Sequence, residues 1–196
     1  IELEGLGDSL NRQAKDISEI CRKNKMRELR LAKTTAEKTI LWQGRRGFFG
    51  AVARLCPQYV VMDGTVPRNK MVPTLRQIGK IAEQYKVTIA NVAHAGDGNL
   101  HPLILFDVNN EQEKKAAHEA GKVILKTCLD MGGTLTGEHG IGLEKLGSMK
   151  TMFHPADLAA MHHVKSIFDP DSILNPGKLL PAEEDNSHHE RKEIPV

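Results

Sequence analysis

Val87-Thr88-Ile89-Ala90-Asn91-Val92-Ala93-His94-Ala95-Gly96-Asp97-Gly98-Asn99-Leu100-His101-Pro102-Leu103-Ile104-Leu105-Phe106 is the stretch that decides the fold class. Two β-prone runs, residues 87–92 and 103–106, flank a glycine-rich centre, and Asp-Gly between such runs is a strong short-range hairpin signal. A hairpin makes its two strands antiparallel. Upstream, Leu75, Ile78 and Ile81 give residues 72–85 helical spacing after a loop begun at Pro67. Before that, the compact apolar run 59–62 stops at Asp63-Gly64 and reads as a buried strand. Downstream, residues 111–131 carry the longest helical pattern and close on Gly132-Gly133.

Further out the pattern is weaker. Residues 1–4 and 28–31 alternate and are expected as short strands on either side of a helix at 9–25, where Leu10, Ala14, Ile17, Ile20 and Cys21 share a stripe. Thr34 and Thr35 are placed to cap a second helix through Ile40, Leu41, Ala51 and Leu55, which Gly47 and Gly50 weaken. Two shorter helices are expected at 144–153 and 156–168, the second started by a proline near its first turn. Strands joined both by helices and by a hairpin imply α+β, with a mainly antiparallel sheet, helices on one face and a small C-terminal helical part. Asp169-Pro170 and Asn175-Pro176-Gly177 punctuate the ending, and residues 184–196, polar and without periodicity, are expected as a disordered tail.

A length of 196 residues suits one domain, taken as residues 1–183. The net charge of +2, with Lys and Arg dispersed among Asp and Glu, argues against a nucleic-acid partner. Cys21, Cys56 and Cys128 are odd in number and form no C-x-x-C pair, which argues against a disulfide framework or thiolate cage, and reduced core cysteines are expected. No run reaches the roughly 20 apolar residues of a membrane helix, and no signal pattern opens the chain, so a cytoplasmic location is expected. The abrupt opening on Ile1-Glu2-Leu3-Glu4, without Met, suggests a piece of a longer protein.

Two segments carry chemistry. His94 and His101 flank the hairpin turn and can converge on one ion, although a histidine at a hairpin end is more often solvated or bonded to backbone. Gly96 and Gly98 permit a tight turn or a close approach, and Asp97 can orient a ligand from behind. The second segment, Gly132-Gly133-Thr134-Leu135-Thr136-Gly137-Glu138-His139-Gly140-Ile141-Gly142, places an acid and an imidazole side by side in a run that packing alone does not require, although such a glycine-rich loop can equally be only a flexible connection. Together they offer two His and one carboxylate as ligands for a divalent ion, with a spare His, which is the inventory of an open catalytic site. His139 is then the natural general base.

Arg45 and Arg46 follow Trp42 on a helix, where one can clamp a carboxylate and both can equally be a solvated face. Asp63-Gly64-Thr65 and Asn175-Pro176-Gly177-Lys178 read as turn chemistry. His162 and His163 are helix neighbours that face apart, and His188 and His189 lie in the tail, so none is assigned a function. No nucleotide-binding glycine loop is present, nor a Gly-x-Ser-x-Gly.

Met62-Asp63-Gly64-Thr65-Val66-Pro67-Arg68, residues 94–102, 132–142 and 168–178, in this order, resemble the C-terminal domain of FAD-linked oxidases of the vanillyl-alcohol-oxidase group. Within that group the likeness is to glycolate oxidase D subunits and D-lactate dehydrogenases, and it runs from Ile1 to about Pro181. The resemblance implies a ferredoxin-like α+β domain packed on an N-terminal FAD domain that this chain lacks. It implies His94, His101 and Glu138 as ligands of a divalent metal, zinc above all, and His139 as the base taking the hydroxyl proton. It also implies that Arg45 holds the substrate carboxylate, that Asn175 lies where the C-terminal segment returns to the flavin, and that separate electron-accepting subunits are partners.

Relatives acting on 2-hydroxyglutarate carry polar residues where this chain has Phe49, Val61 and Leu103, so a small 2-hydroxy acid, glycolate or D-lactate, is the expected substrate. Two other readings stand beside this one. The same four side chains can activate water in a flavin-independent hydrolase or lyase, and a chain without its FAD domain can be a non-catalytic assembly module.

Overall fold

The computed structural model describes residues 1–56 and 58–182, so the expected tail at 184–196, with His188 and His189, lies outside the described residues. The chain divides into two compact units, residues 1–51 and residues from Val52 on. The first holds α1 (Gly7–Lys23) and α2 (Thr35–Arg46). Thr34 caps α2 with a full capping box, its hydroxyl accepting from the Glu37 amide while the Glu37 carboxylate accepts from the Thr34 amide. Gly47 ends that helix, so the expected continuous run becomes α2 and a separate α3 (Phe48–Ala53), as the glycines foreshadow.

Residues 1–4 and 28–31 form no strand. Their alternation is real, but a strand exists only through the ladder it makes with a partner, and neither run is paired. Glu28 is instead tied to Arg30 by a local ion pair.

The second unit is built on one antiparallel sheet: β1 (Tyr59–Val61), β2 (Gly64–Thr65), β3 (Thr88–His94) and β4 (Asn99–Leu105). The expected hairpin is its centre. β3 pairs with β4 in unbroken register from Thr88↔Leu105 to His94↔Asn99, and both strands run closer to the turn than the sequence pattern indicates. β1 and then β2 pair with the other edge of β4, so β4 is flanked on both sides and every one of its residues is buried.

Two helices, α4 (Met71–Tyr85) and α5 (Glu111–Asp130), pack on each other and on the sheet. Thr74, Ile78 and Ile81 form the inner stripe of α4, and Ala117, Ala120, Gly121, Ile124, Leu125 and Cys128 that of α5. Leu100 and Ile104 of β4 join them in the core with Met62, Val66 and Leu135. Each large aliphatic fully buried in this way contributes about 1.5–3 kcal/mol. Because side chains alternate along a strand, Asn99, His101, Leu103 and Leu105 face the opposite side of the sheet from Leu100 and Ile104. His94, opposite Asn99, and His101 therefore stand on the face turned away from α4 and α5.

Residues 144–153 do not form one helix. Gly147-Ser148 sits inside a 3-10 turn at Leu146–Ser148, followed by the single-turn α6 (Met149–Met152). The last helix, α7 (Pro155–Phe168), has Pro at its first position and a His154–Asp157 capping box. No helix of the described residues is long and apolar enough to cross a membrane.

Candidate active site

His94 ends β3 opposite Asn99, and His101 lies on β4 opposite Val92. The two imidazoles are thus diagonal neighbours on one face of an antiparallel pair, a relation that brings long side chains within reach. Their ring centroids are 5.3 Å apart and nearly perpendicular. The turn between them closes through the Asp97 and Gly98 amides, which both donate to the His94 carbonyl. Gly98 is required here: its φ is +78°, and an added Cβ would lie 2.0 Å from the Val66 carbonyl oxygen.

The glycine-rich segment after α5 meets this face in three steps. Thr134 and Thr65 exchange backbone hydrogen bonds as an isolated bridge, and Leu135 enters the core. Residues 136–139 then wrap the side chain of Asp63. Its Oδ2 accepts from the Thr136 hydroxyl at 2.5 Å, the Gly137 amide at 3.1 Å, the His139 amide at 2.9 Å and the Lys145 ammonium at 3.1 Å. The Glu138 amide is 3.3 Å from both carboxylate oxygens. Asp63 is fully buried and Lys145 nearly so. Burial on its own would push the Asp63 carboxyl up, but the Thr136 hydroxyl, the His139 amide, the Lys145 ammonium and the Glu138 amide outweigh it and hold it well below the usual carboxylate range.

Held in this way, Glu138 points one oxygen into a ring of imidazoles. Its Oε1 is 2.9 Å from His101 Nε2, 3.5 Å from His94 Nε2 and 3.8 Å from His139 Nε2. His139 stacks on His101, with centroids 5.1 Å apart and planes 14° from parallel. His101 is buried, whereas the other three side chains are about half exposed. Desolvation lowers the pKa of His101, against the opposing pull of the Glu138 and Asp63 charges. One of its nitrogens, Nδ1, is buried without a hydrogen-bond partner, 3.8 Å from Asp63 Oδ1.

These distances fit a divalent cation. Two ligands each about 2.1 Å from one ion stand roughly 3–3.5 Å apart, which is the spacing of Glu138 Oε1 from His101 and His94. Asp63, His101, Glu138 and His139 likewise offer ligand atoms all within 4.8 Å of one another. The donor set of imidazole and carboxylate suits zinc and similar borderline ions.

The structure thus brings His94, His101, Glu138 and His139 together from two segments of the second unit. Arg45 lies in the last turn of α2, in the other unit. Asn175 adopts a left-handed backbone, φ +47°, in a turn where its carbonyl accepts from the Lys178 amide. His162 Nε2 pairs with the Pro181 carbonyl. Asp97 is exposed, and the carboxylate beside His101 is that of Asp63.

The reading of Asp63-Gly64-Thr65 as turn chemistry is therefore corrected: Asp63 is the buried acceptor that organises the loop, and Gly64–Thr65 is β2. The one sequence signal for Asp63 was its place in a shared motif, because an aspartate after a strand is indistinguishable from a turn former.

The family described as FAD linked oxidases, C-terminal domain, matches residues 1–179. The glycolate oxidase subunit GlcD of Escherichia coli (strain K12) is 43% identical over 181 residues, which are 92% of this chain and 36% of that protein. Its counterpart in Bacillus subtilis (strain 168) is 36% identical over 180 residues, 92% of this chain and 38% of the relative. The mitochondrial D-lactate dehydrogenase [cytochrome] of Arabidopsis thaliana is 30% identical over 171 residues, 86% of this chain and 30% of its own length. The chain spans about a third of the length of these curated relatives.

Proposed function

The chain belongs to the family of FAD linked oxidases, C-terminal domain, and from that premise we propose that it is the substrate and metal side of a FAD-dependent 2-hydroxy-acid oxidoreductase acting on glycolate or D-lactate. The observation that carries the reading is the convergence of three imidazole nitrogens on Glu138 Oε1. In this reading His94, His101 and Glu138 hold a divalent cation, for which zinc is the candidate. Asp63 is a poorer ligand, because its Oδ2 is already occupied by four donors. When bound, such an ion supplies Lewis acidity toward the α-hydroxyl and carboxylate of the substrate, and FAD from a preceding domain supplies the hydride acceptor.

His139 is the base. Its Nε2 lies 3.8 Å from Glu138 Oε1, beside rather than within the shortest contacts, so it can meet a hydroxyl held at the cluster and accept its proton. Stacking on His101 fixes the ring plane, which restricts the direction from which that proton arrives. Arg45 is the residue we assign to the substrate carboxylate, and Asn175 the one we assign to the flavin side.

Preference for a small acid rests on β1 and β4. Val61 stands directly opposite Leu103, two residues along β4 from His101 and on the same face. Neither side chain can bond a second carboxylate, so a dicarboxylic acid would leave its charge unsatisfied there.

Co-expressed with a FAD-binding domain of the family, the chain should oxidise glycolate or D-lactate, and His139→Ala should lower kcat by about 100-fold or more. A rate unchanged by that substitution would remove His139 as the base.

A further inference from the structure

His139 is held through its backbone from both sides. Its own N–H donates to Asp63 Oδ2 at 2.9 Å, and the N–H of the next peptide, that of Gly140, donates to the Thr136 hydroxyl at 2.8 Å. Two planar peptides fixed on either side of one Cα leave little freedom in its φ and ψ, and side-chain rotamers follow the backbone. Glu138 is placed differently: the N–H groups on its two sides, its own and that of His139, both go to Asp63. The Thr136 hydroxyl is thus a tie that the imidazole has and the carboxylate lacks.

That hydroxyl is fully committed. It has one hydrogen to give, which goes to Asp63 Oδ2 at 2.5 Å, so its oxygen is left to accept from Gly140. The Thr136 carbonyl accepts from the Thr134 hydroxyl at 2.8 Å, which steadies the residue itself. A bond of this kind, from side chain to nearby backbone, closes the turn 136–140, and Gly140 completes the turn with φ +79°. The outcome is visible in the ring: about half exposed, His139 still lies within 14° of parallel to His101.

We propose that Thr136 is a positioning residue for His139: its hydroxyl fixes the peptide that follows the histidine and, through it, the plane of the ring. What this does for catalysis rests on the reading of His139 as the base; where the ring lies does not.

Thr136→Val keeps the shape of the side chain and deletes both hydrogen bonds, while Asp63 retains the amides of residues 137–139 and Lys145. In the metal-free full chain, the nuclear Overhauser contact between the carbon-bound ring protons of His101 and His139 should be present in the native protein, lost in Thr136→Val and restored in Thr136→Ser, which keeps the hydroxyl. Zinc affinity should stay close to native in both variants, because Glu138 remains on Asp63. With a FAD-binding domain of the family present, Thr136→Val should lower kcat by about 10- to 100-fold, the scale of a misplaced reacting group, with KM little changed and with recovery in Thr136→Ser.

If a methyl set against Asp63 prevents Thr136→Val from folding, Thr136→Ala removes the hydroxyl without placing one there. A His101–His139 contact that persists in the folded variant would overturn the proposal, as would a loss of zinc affinity as large as the loss of kcat, which would show the hydroxyl holding the whole loop. Loss of the contact in Thr136→Val and its return in Thr136→Ser, in a chain that takes up no zinc and oxidises no acid, would uphold the placement of His139 and remove the functional reading alone.

Discussion

The hairpin and the glycine-rich loop each deliver two residues to the same cluster, yet they secure them by opposite means. His94 and His101 ride on a ladder in which seven residue pairs of β3 and β4 are in register, with β1 and β2 closing the far edge of β4. Glu138 and His139 lie on irregular backbone whose polar groups converge on one carboxylate. In the first region restraint is spread over many backbone bonds of about 1 kcal/mol each; in the second it is concentrated in Asp63. A concentrated anchor should fail all at once, and a distributed one by degrees.

The sharpest way to break this contrast is Asp63→Ala. It strands the Lys145 ammonium and the donors of residues 136–139, and should cost about 3–5 kcal/mol in urea unfolding at neutral pH. Amide exchange should quicken at 136–139 well before it does along β4, and equal loss of protection in both would end the distinction. The effect has a pH signature. Since the folded state holds the Asp63 carboxyl below its unfolded value, its contribution is complete above that unfolded value of about 3.9 and is lost as pH falls through and below it. The gap between native and Asp63→Ala chains should accordingly narrow below about pH 4.

Gly137→Ala tests the loop from another side. A Cβ there would lie 2.5 Å from Asn99 Nδ2 and Thr65 Oγ1, so the loop must lift from the sheet, at about 1–3 kcal/mol. Thermal unfolding together with zinc titration should show both properties falling, whereas intact zinc binding would mean that the loop seats Glu138 without that close approach. The smallest effect is expected at the hairpin tip. Asp97→Ala removes an exposed side chain and should change stability by no more than about 0.5 kcal/mol, leaving zinc affinity unaltered.

The same contrast separates what could be read in the sequence from what could not. The hairpin was legible because Asp97-Gly98 and the flanking apolar runs are local, and α4 and α5 because their stripes repeat within a few residues. The cluster of His94, His101, Glu138 and His139 followed from chemistry and from shared motifs.

Asp63 was not legible: its partners Thr136, His139 and Lys145 lie 73 to 82 positions away. The two false strands have the converse cause. Alternation at Ile1–Glu4 and Glu28–Leu31 is a local pattern, and pairing is not. Residues 144–153 carry a helical pattern, but Gly147 sits in a 3-10 turn that interrupts it.

Those long separations also set an order of events. Before Thr136 can find Asp63, the chain must have threaded through α4, the hairpin and α5, and closing so long a loop is slow unless its ends are already brought near. The sheet and its two helices supply that nearness, since Asp63 and the end of α5 are both built into them. The cluster is then expected to condense last in folding and to be given up first under denaturing stress. Activity and ion retention should therefore disappear before the core melts, making inactivation and unfolding of this unit two separable transitions.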